Sequence, residues 1–219
     1  MRSRTSGVLA AAALVSCFAA SGSAQDASAD SVLSALEASG RKLQTMQAEF
    51  VETKLLTLLD ETEESTGEVL LEVPGRLRWN YKQPSESVMV IKDGRFARYF
   101  PSTKQVFRGE ARGESDLLVG FGPGASNLGK KYEVTLVGEE KVGDVDTHVL
   151  DLKPRKEDSL FSEIRLWVDQ TRHIPLQTRL TEPTGDDTTI RFDSVALNEG
   201  HPKKAFDLDL PKDVVEISR

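Results

Sequence analysis

Only one of the 219 residues is a cysteine, Cys17, and only three are histidines, His148, His173 and His201. One thiol builds no internal disulfide framework, and three scattered imidazoles supply neither an HExxH helix nor a pair at metal-ligand spacing. Asp144, Asp146 and Asp151, like Asp186 and Asp187, lack the glycine and the terminal glutamate of a calcium loop, so they read as solvated turn carboxylates. Phosphate loops are missing too: Gly120-Phe121-Gly122-Pro123-Gly124 carries a proline where an N–H donor is needed, and no Lys-Ser or Lys-Thr follows it. With no GxSxG elbow either, no catalytic residue, metal or cofactor is expected. Basic charge is also in short supply. Lys and Arg number 28 against 35 Asp and Glu, a net −7, so polyanions are repelled on average and nucleic acid is not an expected partner.

Long hydrophobic runs are lacking as well. The one apolar stretch, Val8 to Ala20, covers thirteen residues, short of the ~20 that a bilayer-spanning helix requires. Arg2 and Arg4 precede it and Ser21-Gly22-Ser23-Ala24 follows, which predicts a secretory signal over residues 1–24, cleaved after Ala24. A second reading stays open. Leu14-Val15-Ser16-Cys17 is similar to a lipobox, in which case Cys17 would be acylated and anchor the protein to a membrane. The apolar run continues through Phe18, Ala19 and Ala20, which favours simple cleavage and export. Residues 25–219 then form one domain without a thiol.

What is present is mostly strand. Val32, Leu33, Leu36, Leu43 and Met46 recur at helical spacing, predicting one amphipathic helix from Asp30 to Met46 capped by Asp30 or Ser31. Beyond it the period falls to two. Strands are expected at 48–53, 67–73, 76–82, 88–92, 95–100, 105–108, 132–137, 147–153, 163–168, 175–180, 188–195 and 214–217. Pro74-Gly75, Pro84-Ser85, Asp93-Gly94 and Pro101-Ser102 punctuate them as turns, and Asp93-Gly94 suits a two-residue primed hairpin. The fold class is therefore mainly β. A barrel, open or closed, and a two-sheet sandwich both fit, and the order of elements favours one strongly curved antiparallel sheet of about eleven strands.

Residues 109–129 interrupt the strands with six of the 16 glycines and an apolar knot, Leu117, Leu118, Val119, Phe121 and Leu128. Either this is a short helical lid beginning near Ser115, or a surface loop whose leucines fill a gap in the core. Residues 75–112 hold nine bases and three acids. Arg76, Arg78 and Lys82 alternate with Leu77, Trp79 and Tyr81, so one side of that strand is cationic and the other apolar. The cationic side is a solvated outer face or a docking surface for an acidic partner.

The inward sets expected from alternation are Val69, Leu71 and Val73; Leu77, Trp79 and Tyr81; Leu150 and Leu152; Ile164, Leu166 and Val168; and Ile190 with Phe192. Such a lining is lipophilic, carries no converging polar group and suits hydrocarbon chains, whose burial demands no directional partner.

Several segments resemble a known family. Gly67 to Tyr81 (GEVLLEVPGRLRWNY), followed by Gln83-Pro84, is similar to the signature of the periplasmic outer-membrane lipoprotein carriers, the LolA family. Lys92-Asp93-Gly94, Tyr99-Phe100-Pro101 with Gln105-Val106, and Ala205-Phe206-Asp207-Leu208 to Val214 continue the likeness. The resemblance implies an incomplete β-barrel covered by helices, a monomer whose cavity receives lipoprotein acyl chains. Its implied partners are an inner-membrane lipoprotein-releasing transporter and an outer-membrane acceptor, and no covalent chemistry is involved. A membrane-anchored lipoprotein acceptor acylated at Cys17 and a lipid-binding regulatory module of the cell envelope on the same fold are the alternatives. Many family members carry an arginine before the signature proline, thought to latch the lid. Val73 stands there in this chain, leaving Arg76 or Arg78 at the mouth as substitutes, or a more apolar mouth.

Overall fold

The computed structural model describes residues 27–111, 118–156 and 159–218. The expected signal segment 1–24, Cys17 and Leu117 lie outside the described residues. No described helix is long and apolar enough to cross a membrane.

Helix α1 spans Ala29–Lys42. Ser28 caps it: the Ser31 N–H donates to Ser28 Oγ at 3.2 Å, and the Ser28 N–H donates to Ser31 Oγ at 3.0 Å. Asp30 in the first turn and Arg41 and Lys42 in the last complement the helix dipole. Val32, Leu36 and Gly40, four residues apart, are its buried stripe. The helix is thus shorter than the expected 30–46. From Thr45 onward, Met46, Ala48 and Phe50 are buried while Gln47 and Glu49 are exposed, so strand alternation wins over helical spacing. Leu43 and Met46 still reach the core, but from the helix cap and a strand. Replacing Ser28 with Ala is expected to lower stability by ~1 kcal/mol in a denaturant titration, through loss of the cap.

Twelve strands follow: β1 (Thr45–Leu56), β2 (Glu61–Glu72), β3 (Arg76–Gln83), β4 (Ser87–Lys92), β5 (Arg95–Phe100), β6 (Gln105–Glu110), β7 (Tyr132–Val142), β8 (Val145–Pro154), β9 (Glu163–Asp169), β10 (Pro175–Thr181), β11 (Asp187–Leu197) and β12 (Val215–Ser218). They form one sheet in the order β12-β6-β5-β4-β3-β2-β1-β11-β10-β9-β8-β7. Two meanders, β1 to β6 and β7 to β11, are joined where β1 pairs with β11. Eleven strands pair antiparallel, as alternation and short turns require. The twelfth runs parallel to β6, because it arrives after a long crossing segment instead of a hairpin. At the Asp93-Gly94 turn both residues have positive φ, 52° and 73°, as a primed two-residue hairpin demands.

Alternation sorts side chains onto an inner and an outer face. One inner cluster joins Phe50, Trp79, Met89, Ile91, Ile190 and Phe192. Phe50 meets Trp79 edge-on at 4.6 Å between ring centroids. A Cβ on Gly67 would lie 2.8 Å from the Phe50 ring and 2.0 Å from the Asn80 carbonyl oxygen, so only glycine lets the ring lie across β2. A second inner cluster lies under α1, where Val32 and Leu36 pack on Leu150, Leu152, Ile164, Leu166, Val168 and Leu180. On the outer face, the segment between β11 and β12 crosses back over β3 to β6, and Leu208, Leu210 and Val214 cover Ala97, Tyr99 and Val106.

Candidate lipid-binding cavity

Pairing sets Leu71 beside Leu77 and Leu77 beside Ile91, a row of three apolar side chains across β2, β3 and β4. Above this row lies a cavity of about 300 Å³, roofed by Leu118, Val119, Phe121, Pro123, Gly124 and Leu128. Gly75, Arg76, Lys131 and Tyr132 complete its wall.

Among the described residues the roof runs from Leu118 through the 3-10 turn Gly122–Ala125 to a one-turn helix α2, Leu128–Lys131. Its backbone hydrogen bonds are local: Phe121 N–H donates to Leu118 O, Gly124 N–H to Phe121 O, and Ser126 N–H to Pro123 O. Side chains and close backbone approach attach it to the rest. Phe121 stands edge-on to Phe192 at 5.3 Å. A Cβ on Gly40 of α1 would lie 2.5 Å from Ala125 Cβ, so helix and roof touch where glycine leaves room. A Cβ on Gly122, whose φ is +48°, would lie 2.9 Å from Val73 Cγ2. From residue 127 on, the segment is tied down. The Arg155 N–H donates to Lys131 O at 3.0 Å, and Arg155 Nε donates to Tyr132 O at 3.1 Å.

The expected lining residues divide into three groups. Leu71 and Leu77 border the cavity. Val69, Trp79, Ile190 and Phe192 are buried in the cluster beside it, with Val73 and Tyr81 partly buried against them. Leu150, Leu152, Ile164, Leu166 and Val168 are buried under α1 and do not border this cavity. Among the expected lid residues, Leu118, Val119, Phe121 and Leu128 all border the cavity. Sequence reasoning missed Ile91 and Tyr132. The parity of β4, with Met89 and Ile91 on one face, was the available signal for the first.

The expectation of a wholly apolar inner wall is corrected. Beyond Trp79 the wall turns polar: Tyr81 donates its hydroxyl to Glu52 Oε2 at 3.2 Å, and the Arg98 guanidinium lies 5.0 Å from the Tyr81 ring centre and 5.1 Å from that of Phe100. Burial pushes the Glu52 carboxyl above its usual range, against the opposing pull of the Tyr81 hydrogen bond and of Arg98. Burial and the neighbouring carboxylate push the Tyr81 phenol up as well. Glu52 shares the parity of Ala48 and Phe50, and Arg98 that of Phe96 and Phe100, so the alternation rule pointed inward at both.

The two arginines expected at the mouth also part company. Arg76 borders the cavity and pairs with Glu72 at 2.7 Å. Arg78 belongs to the outer face, where it donates to the backbone oxygens of Asp207 at 2.8 Å and Ala205 at 3.3 Å. Its charge fastens the crossing segment and is not at the cavity opening.

Comparisons with known proteins give the family and the fold. Residues 41–209 match the family model described as outer membrane lipoprotein carrier protein LolA. The outer-membrane lipoprotein carrier protein of Pseudomonas fluorescens is 28% identical over 179 residues, 80% of this chain and 83% of that one. Its namesake in Chromobacterium violaceum is 28% identical over 177 residues, 80% of this chain and 81% of the relative. Among solved structures, an uncharacterized conserved protein of Thermus thermophilus superposes with a TM-score of 0.58 at 15% identity, covering 87% of this chain and 99% of that one. The Pseudomonas aeruginosa MucA/MucB complex contributes a match with a TM-score of 0.52 at 21% identity, covering 83% of this chain and 61% of that one. These two show a shared fold. With the family model spanning most of the sequence, the chain belongs to the LolA family of outer membrane lipoprotein carrier proteins.

Proposed function

We propose that this protein is a periplasmic carrier that shelters lipoprotein acyl chains against its inner face, taking them up at the inner membrane and yielding them at the outer membrane, with no covalent step. The observation that carries the reading is the cavity over Leu71, Leu77 and Ile91, roofed by a segment that is itself apolar. At ~0.8 kcal/mol per methylene, a chain of ~16 carbons loses on the order of 12 kcal/mol in water, so unaided transit is negligible. A carrier must recover much of that and still let go.

The roof meets this requirement by acting as a stand-in for cargo. Leu118, Val119 and Phe121 are buried against the inner face. An entering acyl chain displaces them and buries the same wall, so one apolar contact replaces another and the net free energy of capture stays moderate. The vacant 300 Å³ lies at the low end of the roughly 300–1,000 Å³ usual for ligand pockets, so uptake of a full chain requires the roof to lift.

Native mass spectrometry of protein purified from the periplasm tests the reading. Acyl-bearing species are expected to co-purify and to leave on delipidation. Their reproducible absence, under conditions that saturate a known carrier, overturns it.

A further inference from the structure

The β1–β2 hairpin ends in an apolar tip remote from the cavity. Leu58 and Leu59 are 88% and 64% exposed, and Leu55 beside them is 38% exposed. Four leucines in the five residues 55–59 stand at a surface turn, a position where polar turn-formers are the rule. Leu56 pairs with Glu61 at this end of the hairpin, whereas Leu71 of the cavity floor lies ten residues further along β2, about 33 Å at strand rise. The tip therefore has no part in enclosing the cavity.

It is also held in place. The Thr57 N–H donates to Asp186 Oδ1 at 2.9 Å, the Thr57 hydroxyl donates to Gly185 O at 2.5 Å, and the Leu59 N–H donates to Leu56 O at 3.0 Å. An apolar projection fastened to its neighbouring turn loses little freedom on binding. Acids surround it: Asp60, Glu61, Glu63 and Glu64 on one side, Asp186 and Asp187 on the other. Lys54, opposite Glu63, is the one base between residues 53 and 64.

We infer that the leucine tip is a docking knob for a protein partner that offers an apolar socket ringed by lysines or arginines. Burial of Leu58 and Leu59 supplies the attraction, and the acidic collar selects a basic rim. The same collar is repelled by an anionic bilayer, which makes a lipid surface the poorer fit. A second copy is the poorer fit too. An apolar and basic hollow among the described residues, between Val90, Phe206 and Leu208, has Lys92 already paired with Asp207 at 3.0 Å and Arg108 with Glu216 at 3.2 Å, which leaves Arg95 as one base against a collar of six acids. This docking role goes beyond acyl carriage and does not require it.

The test is co-sedimentation of the purified protein with envelope membranes from cells that produce it, untreated or shaved with protease, and with protein-free phosphatidylethanolamine–phosphatidylglycerol vesicles. The wild type is expected to sediment with untreated membranes alone. The double variant Leu58→Ser, Leu59→Ser is expected to bind about 10-fold more weakly or worse. Glu61→Gln with Glu63→Gln is expected to weaken binding several-fold and flatten its salt dependence. Equal binding to shaved membranes or vesicles, binding indifferent to the serine pair, tip-dependent self-association, or no sedimentation of the wild type each overturns the inference. Acyl-chain capture by both variants, measured in parallel, is expected to match the wild type, so failure of the knob and failure of the carrier reading give different results.

Discussion

Leu118→Asp is expected to reduce retention of a bound acyl chain by about 100-fold, equivalent to ~2.7 kcal/mol, while lowering global stability by no more than ~1–2 kcal/mol. Leu118 is 4% exposed and borders the cavity. In a rigid core, an aspartate there would suffer the full cost of burying a carboxylate. The roof, however, has an escape. Its backbone hydrogen bonds close on themselves between residues 118 and 126, so it can lift without breaking a sheet bond. The free energy needed to lift it caps the damage. Leu166→Asp is the contrast. Leu166 is fully buried on β9, paired with Leu150 on one side and Thr178 on the other, and no local movement brings it to water. That variant is expected to lose more than ~4 kcal/mol and to fail to fold stably. Displacement of a fluorescent fatty acid, read beside a denaturant titration, separates the two outcomes. Parallel loss of retention and stability in Leu118→Asp would show that the roof is ordinary core.

Strands were legible from the sequence because their signal is local. Alternation in Arg95 to Phe100 and turn chemistry at Asp93-Gly94 fix β5 and its hairpin without any tertiary information. The end of α1 was less legible. Leu43 and Met46 satisfy helical spacing and strand alternation alike, and only the pairing of Met46 with Leu71 and Leu197 decides between them. The site was harder still. Parity shows which face of a strand is inward but says nothing of what covers that face. Thus Leu71 and Leu166 read alike in sequence, yet one borders vacant space while the other is buried with α1, whose Leu36 and Val32 fill that half of the inner wall. The same parity placed Glu52 and Arg98 inward, and the apolar residues around them drew attention away from it.

Val73 stands where the resemblance to the family implies an arginine. Arg76 borders the cavity and pairs with Glu72, while Arg78 is engaged on the outer face. On the proposed carrier reading, contact shape is what would hold the roof. Val73 reaches into the space that a Cβ on Gly122 would need, and Gly40 lets α1 approach Ala125. Small residues allow close backbone approach, and dispersion between the surfaces that meet there loses roughly a quarter to a half of its strength over a gap of about 0.5–1 Å. Such a latch has no charge to titrate or screen. It would weaken progressively as an entering acyl chain separated the two surfaces.

Pinning that latch should stop the carrier. In Val73→Cys with Gly122→Cys, a Sγ placed where Val73 Cγ2 lies would be 2.9 Å from the new Cβ at residue 122, close to the ~3 Å between a Cβ and the opposite sulfur of a disulfide. The cysteine introduced at position 122 would sit at φ +48°, which costs an L residue ~1–2 kcal/mol, within what a folded domain tolerates. Because Cys17 is the sole natural thiol, a chain beginning at Gln25 carries no competing cysteine. Oxidation is expected to reduce acyl-chain uptake at least ~10-fold by holding the roof down, and a reductant is expected to restore it. Each single cysteine variant should take up ligand under both conditions. Undiminished uptake by the fully oxidised pair would mean that chains enter without moving the roof, and the cavity would then have to fill from the open, polar end of the inner face near Glu52 and Arg98.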